Sequence, residues 1–451
     1  MAHSLSATFD LLIKGGTVVN QSGRALADVG VREGKIVAIG DLATASAGET
    51  VDATGLHVLP GVIDSQVHFR EPGPTHKEDL ETGSRGAVLG GVTGVFEMPN
   101  TNPTTSTASM LQDKLDRAAG KKDHGGMHCH HAFYVGGTHA NADHLHELER
   151  LPGCCGVKVF MGASTGDLLI ADDEGLRRVL QSIRRRASFH SEDEARMAER
   201  RHLAREGDWT SHTDVRDKES AIISTKRLIR MAREANKRIH VLHISTAEEV
   251  PILAANKDLV TCEILPNHLT LYGPGAYETL KGRAQQNPPI RDFENAQGLW
   301  EGVRNGTFDV MGTDHAPHTL EEKANLYPAS PSGMPGVQTF VPLMLDWVNK
   351  GALTLERFVD LTSHGVTRVW GLIGKGRLAV GFDADITIVD LNERRVLRDE
   401  DQANRSGWTP YHGRTVQGWP THTIIDGRIV MERDEIVLPH SGKPYRFYES
   451  L

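Results

Sequence analysis

The sequence predicts an α/β fold: a (β/α)8 TIM-like barrel with a small composite β-sandwich domain from both chain ends. Three observations predict it. Strand-like and helix-like segments alternate through the middle of the chain, apolar and polar residues alternate near both ends, and polar residues follow several predicted barrel strands. Alternation of strands and helices implies a parallel sheet, and this number of units favours a closed barrel.

Residues 10–59 are predicted to begin the small β domain. Apolar residues alternate there, Gly34 indicates a tight turn, and no helix signal is present. The same pattern returns in residues 376–391 and around a hairpin turn at Asp426-Gly427. We therefore divide the chain into a β domain, a barrel and a second part of the β domain, at residues 1–58, 59–374 and 375–451.

Apolar spacing predicts two helices of the barrel. In residues 172–186, Leu176, Val179 and Leu180 recur at helical spacing, and residues 218–237 have one broad apolar face. The first barrel strand contains Val62. Further apolar runs predict strands at residues 92–98, 156–162, 187–190, 239–245, 259–265 and 308–314.

Composition and net charge limit the classes of protein to which the chain can belong. The chain has 451 residues, of which 39% are hydrophobic and 24% charged, as in a globular enzyme. Its formal net charge of −9 argues against nucleic acid or an acidic membrane as a partner, because both bind basic surfaces. No apolar run reaches about 18 residues and no signal pattern opens the chain, so we expect a soluble, cytoplasmic protein. The four cysteines lack metal-site or disulfide spacing and are expected to be reduced.

Candidate site residues fall where predicted strands end, which is where barrel enzymes of this kind build their active sites. Scattered core histidines would not favour one end of each strand. The residues at these ends are His68, Asn102, Lys158, His190, His243 and Asp314.

The first strand end carries Gln66, His68 and Arg70 at every second position, so all three share one face. A histidine is a metal-ligand type, and an arginine can grip a carboxylate. The alternative is a polar turn with a solvated histidine.

His190 and His243 are candidate zinc ligands. His240 competes with His243, and we prefer His243 because it keeps the strand's parity and lies nearer the strand end. Lys158 lies within an apolar strand, where an unpaired ammonium would be costly. A buried ion pair avoids that cost, and so does a neutral amine that reacts with carbon dioxide to give a metal-binding carbamate.

Asp314 follows an apolar strand in the segment GTDHAPH. A carboxylate beside a metal can take the proton of a water molecule and pass it to a leaving nitrogen. His318 could face the same mouth or be a surface histidine. The Pro/Gly/Ser-rich residues 325–337 are expected to form a loop over the site mouth, or otherwise a plain connector.

Nine motifs follow one another along the barrel: HFREPG (68–73), HKED (76–79), GGVT (90–93), MPNTNP (98–103), GVKVFMG (156–162), HSED (190–193), HISTAEE (243–249), NPPIR (287–291) and GTDHAPH (312–318). Together and in this order, they resemble dihydroorotases of the amidohydrolase superfamily. The flanking β segments also resemble that superfamily's small β domain.

The resemblance implies a zinc-dependent enzyme of de novo pyrimidine synthesis that interconverts N-carbamoyl-L-aspartate and L-dihydroorotate. It implies a small-molecule substrate, one or two zinc ions per subunit and a homodimer. The implied metal ligands are His68, Lys158 as its carbamate, His190, His243 and Asp314, with Gln66 as a further candidate. Asp314 is also the implied general acid and base, and the implied substrate-binding residues are Arg70, Asn102, His318 and Asn287.

Two positions depart from the family pattern. Gln66 stands where the family usually has the first histidine of His-x-His, and an amide oxygen is a weaker, harder ligand than imidazole. We therefore expect one weaker metal site or a single tightly bound zinc. Gln285 replaces the family's lysine in the segment K-x-N-P-P.

Two kinds of alternative remain. Allantoinases and hydantoinases or dihydropyrimidinases use the same metal site, but generally lack the pair Arg70 and Asn102. A non-catalytic dihydroorotase-like partner of aspartate transcarbamoylase is the alternative from another class. Gln66 favours it, whereas the other filled ligand positions favour an enzyme.

Overall fold

The computed structural model describes residues 9–121, 124–162 and 166–449. The strands are β1 (Phe9–Asn20), β2 (Gly23–Arg32), β3 (Lys35–Gly40), β4 (Ala47–Asp52), β5 (His57–Pro60), β6 (Val62–Val67), β7 (Val92–Glu97), β8 (His130–Gly136), β9 (Cys154–Phe160), β10 (Ala187–His190), β11 (Ile239–Val241), β12 (Val260–Ile264), β13 (Val310–Met311), β14 (Ile386–Val396), β15 (Thr415–Ile425), β16 (Arg428–Glu432) and β17 (Glu435–Ile436).

The helices lie mostly between the strands of the barrel. They are α1 (Leu80–Leu89), α2 (Ala108–Ala118), α3 (Leu145–Leu148), α4 (Asp173–Ser182), α5 (Glu194–Arg200), α6 (His212–Val215), α7 (Lys218–Ala235), α8 (Glu249–Ala254), α9 (Pro266–Thr270), α10 (Gly275–Leu280), α11 (Phe293–Arg304), α12 (Leu320–Lys323), α13 (Phe340–Asn349), α14 (Leu355–Val359) and α15 (Gly365–Trp370). In the described part of the chain, no helix is both long and apolar enough to cross a membrane.

Strands β6 to β13 form one eight-stranded parallel sheet in chain order. Val67 of β6 makes a bridge to His315, which lies beyond β13, and the His68 amide donates to the His315 carbonyl at 2.7 Å. These contacts bring the first and last strands together. The barrel predicted from the sequence is therefore confirmed.

Strands from the two ends of the chain share a second sheet of nine strands. β14 pairs antiparallel with β5, with Ile386 opposite Pro60, and this pairing joins the two ends. The division at residues 58 and 374 stays a prediction, and residues 1–8 and 450–451 lie outside the described part of the chain.

The predicted elements agree with the structure best where apolar spacing is regular. The helix predicted at 172–186 spans Asp173–Ser182 and the one at 218–237 spans Lys218–Ala235. The strand predicted at 308–314 is shorter, because only Val310–Met311 pairs and Asp314 turns to a φ of 51°. All four cysteines are buried and unpaired.

The C-terminal segment covers the amino end of the barrel. The Tyr445 amide donates to the carbonyl of His131 at the start of β8, and the Tyr445 ring packs edge-on against Phe96. Phe447 contacts the same ring. A Cβ atom on Gly94 would overlap the Tyr445 hydroxyl, so β7 needs a glycine at this contact.

We expect Gly94→Ala to lower the free energy of unfolding by about 1–3 kcal/mol, because the added methyl group overpacks a closed core. Thermal unfolding of the variant and the wild type measures this. Gly275→Ala is the control, since a Cβ atom there meets open space at the start of α10. Equal stability losses in both variants would contradict the proposed role of the contact.

Candidate active site

One cavity lies at the carboxyl ends of the barrel strands and gathers most of the candidate residues. Its lining consists of Gln66, His68, Arg70, Asn100, Lys158, Phe160, His190, His243, Asn287, Asp314, Ala316, Ser332 and Gly333. Of the residues predicted from the sequence, Asn102 and His318 are absent from this lining.

Three lining residues have left-handed backbone conformations shortly after barrel strands end. The φ angles are 62° at Arg70, 37° at His243 and 51° at Asp314. Such conformations are unfavourable for residues with side chains and occur often at functional sites. The rival residue, His240, instead bonds the Thr261 hydroxyl at 2.8 Å and lies outside the cavity lining.

His68 is oriented by Asn100. Its Nδ1 lies 2.7 Å from the Asn100 side-chain oxygen, so the ring proton sits on Nδ1. Its Nε2 lies 3.0 Å from Oδ1 of Asp314. A proton or a metal ion between these two atoms would stabilise the contact.

His190 is oriented by a buried carboxylate. Its Nε2 donates to Glu192 at 2.7 Å, which leaves Nδ1 unprotonated. Glu192 is fully buried and is gripped by the Arg216 guanidinium. Burial raises the pKa of Glu192, but Arg216 and His190 outweigh it and hold that pKa well below its usual range. The ring centroids of His190 and His243 lie 4.6 Å apart.

Lys158 has no ion-pair partner among the described residues. Its Nζ lies 4.5 Å from the centroid of the Phe160 ring, and the residue is only 1% exposed. Burial lowers the pKa of this amine to about 7, against the weaker opposing effects of Asp314 and Glu263. The ion-pair alternative for Lys158 therefore has no support in the structure.

Gln66 and Asp314 meet across the junction of the first and last strands. The Gln66 amide donates from Nε2 to Oδ1 of Asp314 at 2.9 Å, and its Oε1 is buried without a partner among the described residues. Burial raises the pKa of Asp314, but His68, His243 and Lys158 together hold it well below its usual range. The orphaned Oε1, the carboxylate and the unprotonated imidazole nitrogens form a donor set that fits a divalent metal ion.

Arg70 lies in the cavity wall without a carboxylate partner among the described residues. Its Nε donates to the Pro317 carbonyl at 3.2 Å. His318 cannot accept from Arg70, because Lys77 donates to its Nδ1 and its own Nε2 donates to Ser332. Burial lowers the pKa of Arg70 to about 10, so the guanidinium stays charged at neutral pH.

Asn100, and not Asn102, is the asparagine that the structure brings to the cavity. The Asn102 side chain is exposed, and the Asn102 backbone amide donates to the Pro72 carbonyl at 2.9 Å. Both residues lie in the turn after β7, and Asn100 is nearer the strand end. Sequence reasoning also missed Glu192, although it stands two residues after His190.

The predicted loop at 325–337 reaches the cavity through Ser332 and Gly333. Gln285 donates from its side chain to the Ser330 carbonyl at 2.8 Å, and Lys323 donates to the Gly333 carbonyl at 2.8 Å. Gln285, which replaces the family's lysine, thus anchors this rim together with Lys323.

A second group of metal-ligand type lies near the opposite end of the barrel. Nε2 of His130 is 3.4 Å from both Asp385 and Asp426. The His130 Nδ1 accepts the Lys443 amide, which leaves the ring proton on Nε2, and Lys375 already pairs with Asp385 at 2.5 Å. Lys375 pairs with Asp385 and Lys443 pairs with Asp426, so the group fits an ion-pair network better than a metal.

Comparisons with known proteins identify the family of the chain. Residues 57–430 match the family model described as "Amidohydrolase family". The chain is 34% identical to a dihydroorotase of Methanosarcina acetivorans, over 97% of this chain and 94% of that protein. It is 35% identical to an allantoinase of Escherichia coli (strain SMS-3-5), over 95% of this chain and 96% of that protein.

Among solved structures, an L-hydantoinase (dihydropyrimidinase) from Arthrobacter aurescens superposes with a TM-score of 0.90 at 28% identity. The match covers 97% of this chain and 99% of that one. The chain therefore belongs to the amidohydrolase family and is a cyclic amide hydrolase.

Proposed function

We propose that the protein is a dihydroorotase, which interconverts L-dihydroorotate and N-carbamoyl-L-aspartate in de novo pyrimidine synthesis. The observation that carries this proposal is the Arg70 guanidinium in the cavity wall, which has no carboxylate partner among the described residues. A partly buried guanidinium that keeps its proton is suited to pair with an anion. L-Dihydroorotate brings a carboxylate next to its ring amide, whereas unsubstituted hydantoin and allantoin bring none.

The carboxylate would lie against the planar fork of Arg70, with the side-chain amides of Asn100 and Asn287 in the same wall. Pro317 fixes the Nε edge of the guanidinium, which leaves the other nitrogens for the substrate. His318 supports this region from behind, through Lys77 and Ser332. Asn102 is exposed and lies outside the cavity lining, so its role in substrate binding stays a prediction from the sequence.

The donor set would hold one or two zinc ions through His68, Lys158, His190, His243 and Asp314, with Gln66 as a further ligand. When bound, zinc supplies a Lewis acid that lowers the pKa of a water molecule towards neutrality and polarises the amide carbonyl. Lys158 would bind as a carbamate. Its buried amine is partly neutral near pH 7, so it can add to carbon dioxide and release a proton, which gives an anionic ligand.

Asp314 would move the proton during ring opening. Its Oδ1 accepts from Gln66, whereas Oδ2 has no hydrogen-bond partner among the described residues. The carboxylate is ionised at neutral pH, so it can accept the proton of the attacking water. It then returns that proton to the ring nitrogen as the carbon–nitrogen bond breaks.

Another cyclic amide is the alternative substrate, because relatives named dihydroorotase and allantoinase are equally similar to this chain. Arg70 is the observation that favours dihydroorotate. A non-catalytic partner of aspartate transcarbamoylase would not need Asp314 or the clamp. The homodimer and the cytoplasmic location stay predictions from the sequence.

The first test is hydrolysis of L-dihydroorotate, hydantoin and allantoin by zinc-loaded protein. We expect turnover of dihydroorotate alone, because only this substrate pairs with Arg70. Turnover of hydantoin or allantoin without turnover of dihydroorotate would contradict the proposal. A protein that retains no zinc after incubation with excess zinc and hydrolyses none of the three would favour the non-catalytic alternative.

Arg70→Met should raise KM for dihydroorotate by about 10- to 100-fold, since a charge-assisted hydrogen bond is worth about 1.5–3 kcal/mol. Steady-state kinetics measures this effect. Lys443→Met is the control, because it removes an exposed cation that pairs with Asp426 and is absent from the cavity lining. An unchanged KM in Arg70→Met would contradict the proposed contact between Arg70 and the substrate carboxylate.

Asp314→Asn should keep the fold and lower kcat by about 10²- to 10⁴-fold, the usual contribution of general acid–base catalysis. The variant is close in size but cannot hold the transferred proton. Circular dichroism checks the fold, and steady-state kinetics measures kcat. Near-normal kcat in the folded variant would show that another group carries the proton.

A further inference from the structure

Asn287 lines the cavity, and its side-chain oxygen already has a partner behind the cavity wall. This Oδ1 lies 3.0 Å from Nε2 of His212, and the same Nε2 lies 3.0 Å from the backbone carbonyl oxygen of Gln286. Both neighbours are oxygen acceptors, so Nε2 carries the ring proton and shares it between them. The reverse orientation of the Asn287 amide would set its NH₂ group against this N–H group. His212 therefore holds the amide oxygen, and the amide nitrogen is left free.

His212 is itself held in place from several sides. It begins α6 and is only 5% exposed. Its ring packs edge-on against Tyr327 of the loop at 325–337, with ring centroids 5.6 Å apart. Burial and the nearby Arg216 lower the pKa of His212 to about 3, so the ring is neutral and has one proton. His212 is absent from the cavity lining, so it reaches a bound substrate only through its neighbours.

The free nitrogen of Asn287 determines which substrate atom fits this part of the wall. Nδ2 has no hydrogen-bond partner among the described residues. Arg70, in the same cavity lining, can also only donate. An oxygen atom of the substrate, in a carboxylate or a ring carbonyl, is complementary to such donors, whereas a substrate N–H group would meet another donor.

We infer that His212 is a positioning residue, which orients the Asn287 amide so that its nitrogen donates to an oxygen atom of the substrate. Without the N–H group of His212, the amide is free to turn by half a rotation and present its own oxygen. Two oxygen acceptors would then face each other, and binding would weaken. The inference rests on the proposed substrate-binding role of Asn287, and not on which cyclic amide the enzyme hydrolyses.

His212→Phe removes the N–H donor and keeps an aromatic ring against Tyr327. We expect KM to rise about 2- to 10-fold, the usual range for one neutral hydrogen bond, and kcat to stay within about twofold of the wild type. His212→Gln should restore KM, since its amide nitrogen can take the place of Nε2. His202→Phe is the matched control, because His202 is exposed and lies outside the cavity lining.

A double-mutant cycle separates positioning from a merely structural role. Asn287→Ala should raise KM by a similar factor, and adding His212→Phe should change KM no further, because His212 acts through Asn287. Increases in KM that multiply in the double variant would overturn the inference. A His212→Gln variant with the same KM as His212→Phe would overturn it as well.

Circular dichroism shows whether each variant folds. If His212→Phe does not fold, His212→Asn replaces it, because its shorter amide does not reach Asn287; an unchanged KM in that variant would overturn the inference. The assay uses whichever of L-dihydroorotate, hydantoin and allantoin the zinc-loaded wild type hydrolyses. Hydrolysis of hydantoin or allantoin alone contradicts the proposed function, and the cycle measured with that substrate still decides the role of His212. A wild type that hydrolyses none of the three overturns both.

Discussion

The contact between the first and last barrel strands is the constraint on which the site depends. Residues 66–70 and 312–318 are far apart in the chain, yet the His68 amide donates to the His315 carbonyl and Gln66 reaches Asp314 across the junction. Below them, the Thr313 amide donates to Asp64, whose pKa burial raises to about 7. If the pairing of these two strands shifted by one residue, the side chains of Gln66 and His68 would face away from the cavity.

The same junction explains the strained backbone of the site. Arg70 and Asp314 both have positive φ angles, one on each side of the junction, and His243 has a third. These conformations redirect the side chains out of the strand's alternation and into one cavity. These backbone conformations are unfavourable, and the surrounding barrel, whose apolar core is continuous beneath the site, stabilises them.

The sequence allowed the barrel, the two-ended sheet and most of the cavity to be predicted, because strand–helix alternation and strand parity are local signals. His243 was separable from His240 by its parity together with its position nearer the strand end. Local signals fail where a turn decides which side chain points inwards, as with Asn100 and Asn102. They also fail for Arg216, since its contact with Glu192 depends on how the segment between β10 and α7 folds back.

Two cations line the cavity, the fully buried Lys158 and the partly exposed Arg70. Neither Arg70 nor Lys158 has a carboxylate partner among the described residues, and burial lowers both of their pKa values. A lysine amine can lose its proton near neutral pH and become a nucleophile towards carbon dioxide, whereas a guanidinium remains charged. Lys158 can therefore lose its positive charge within the protein. Arg70 keeps its charge and can be paired only by an anion from outside, so a carboxylate substrate is inferred from Arg70 rather than from the metal site.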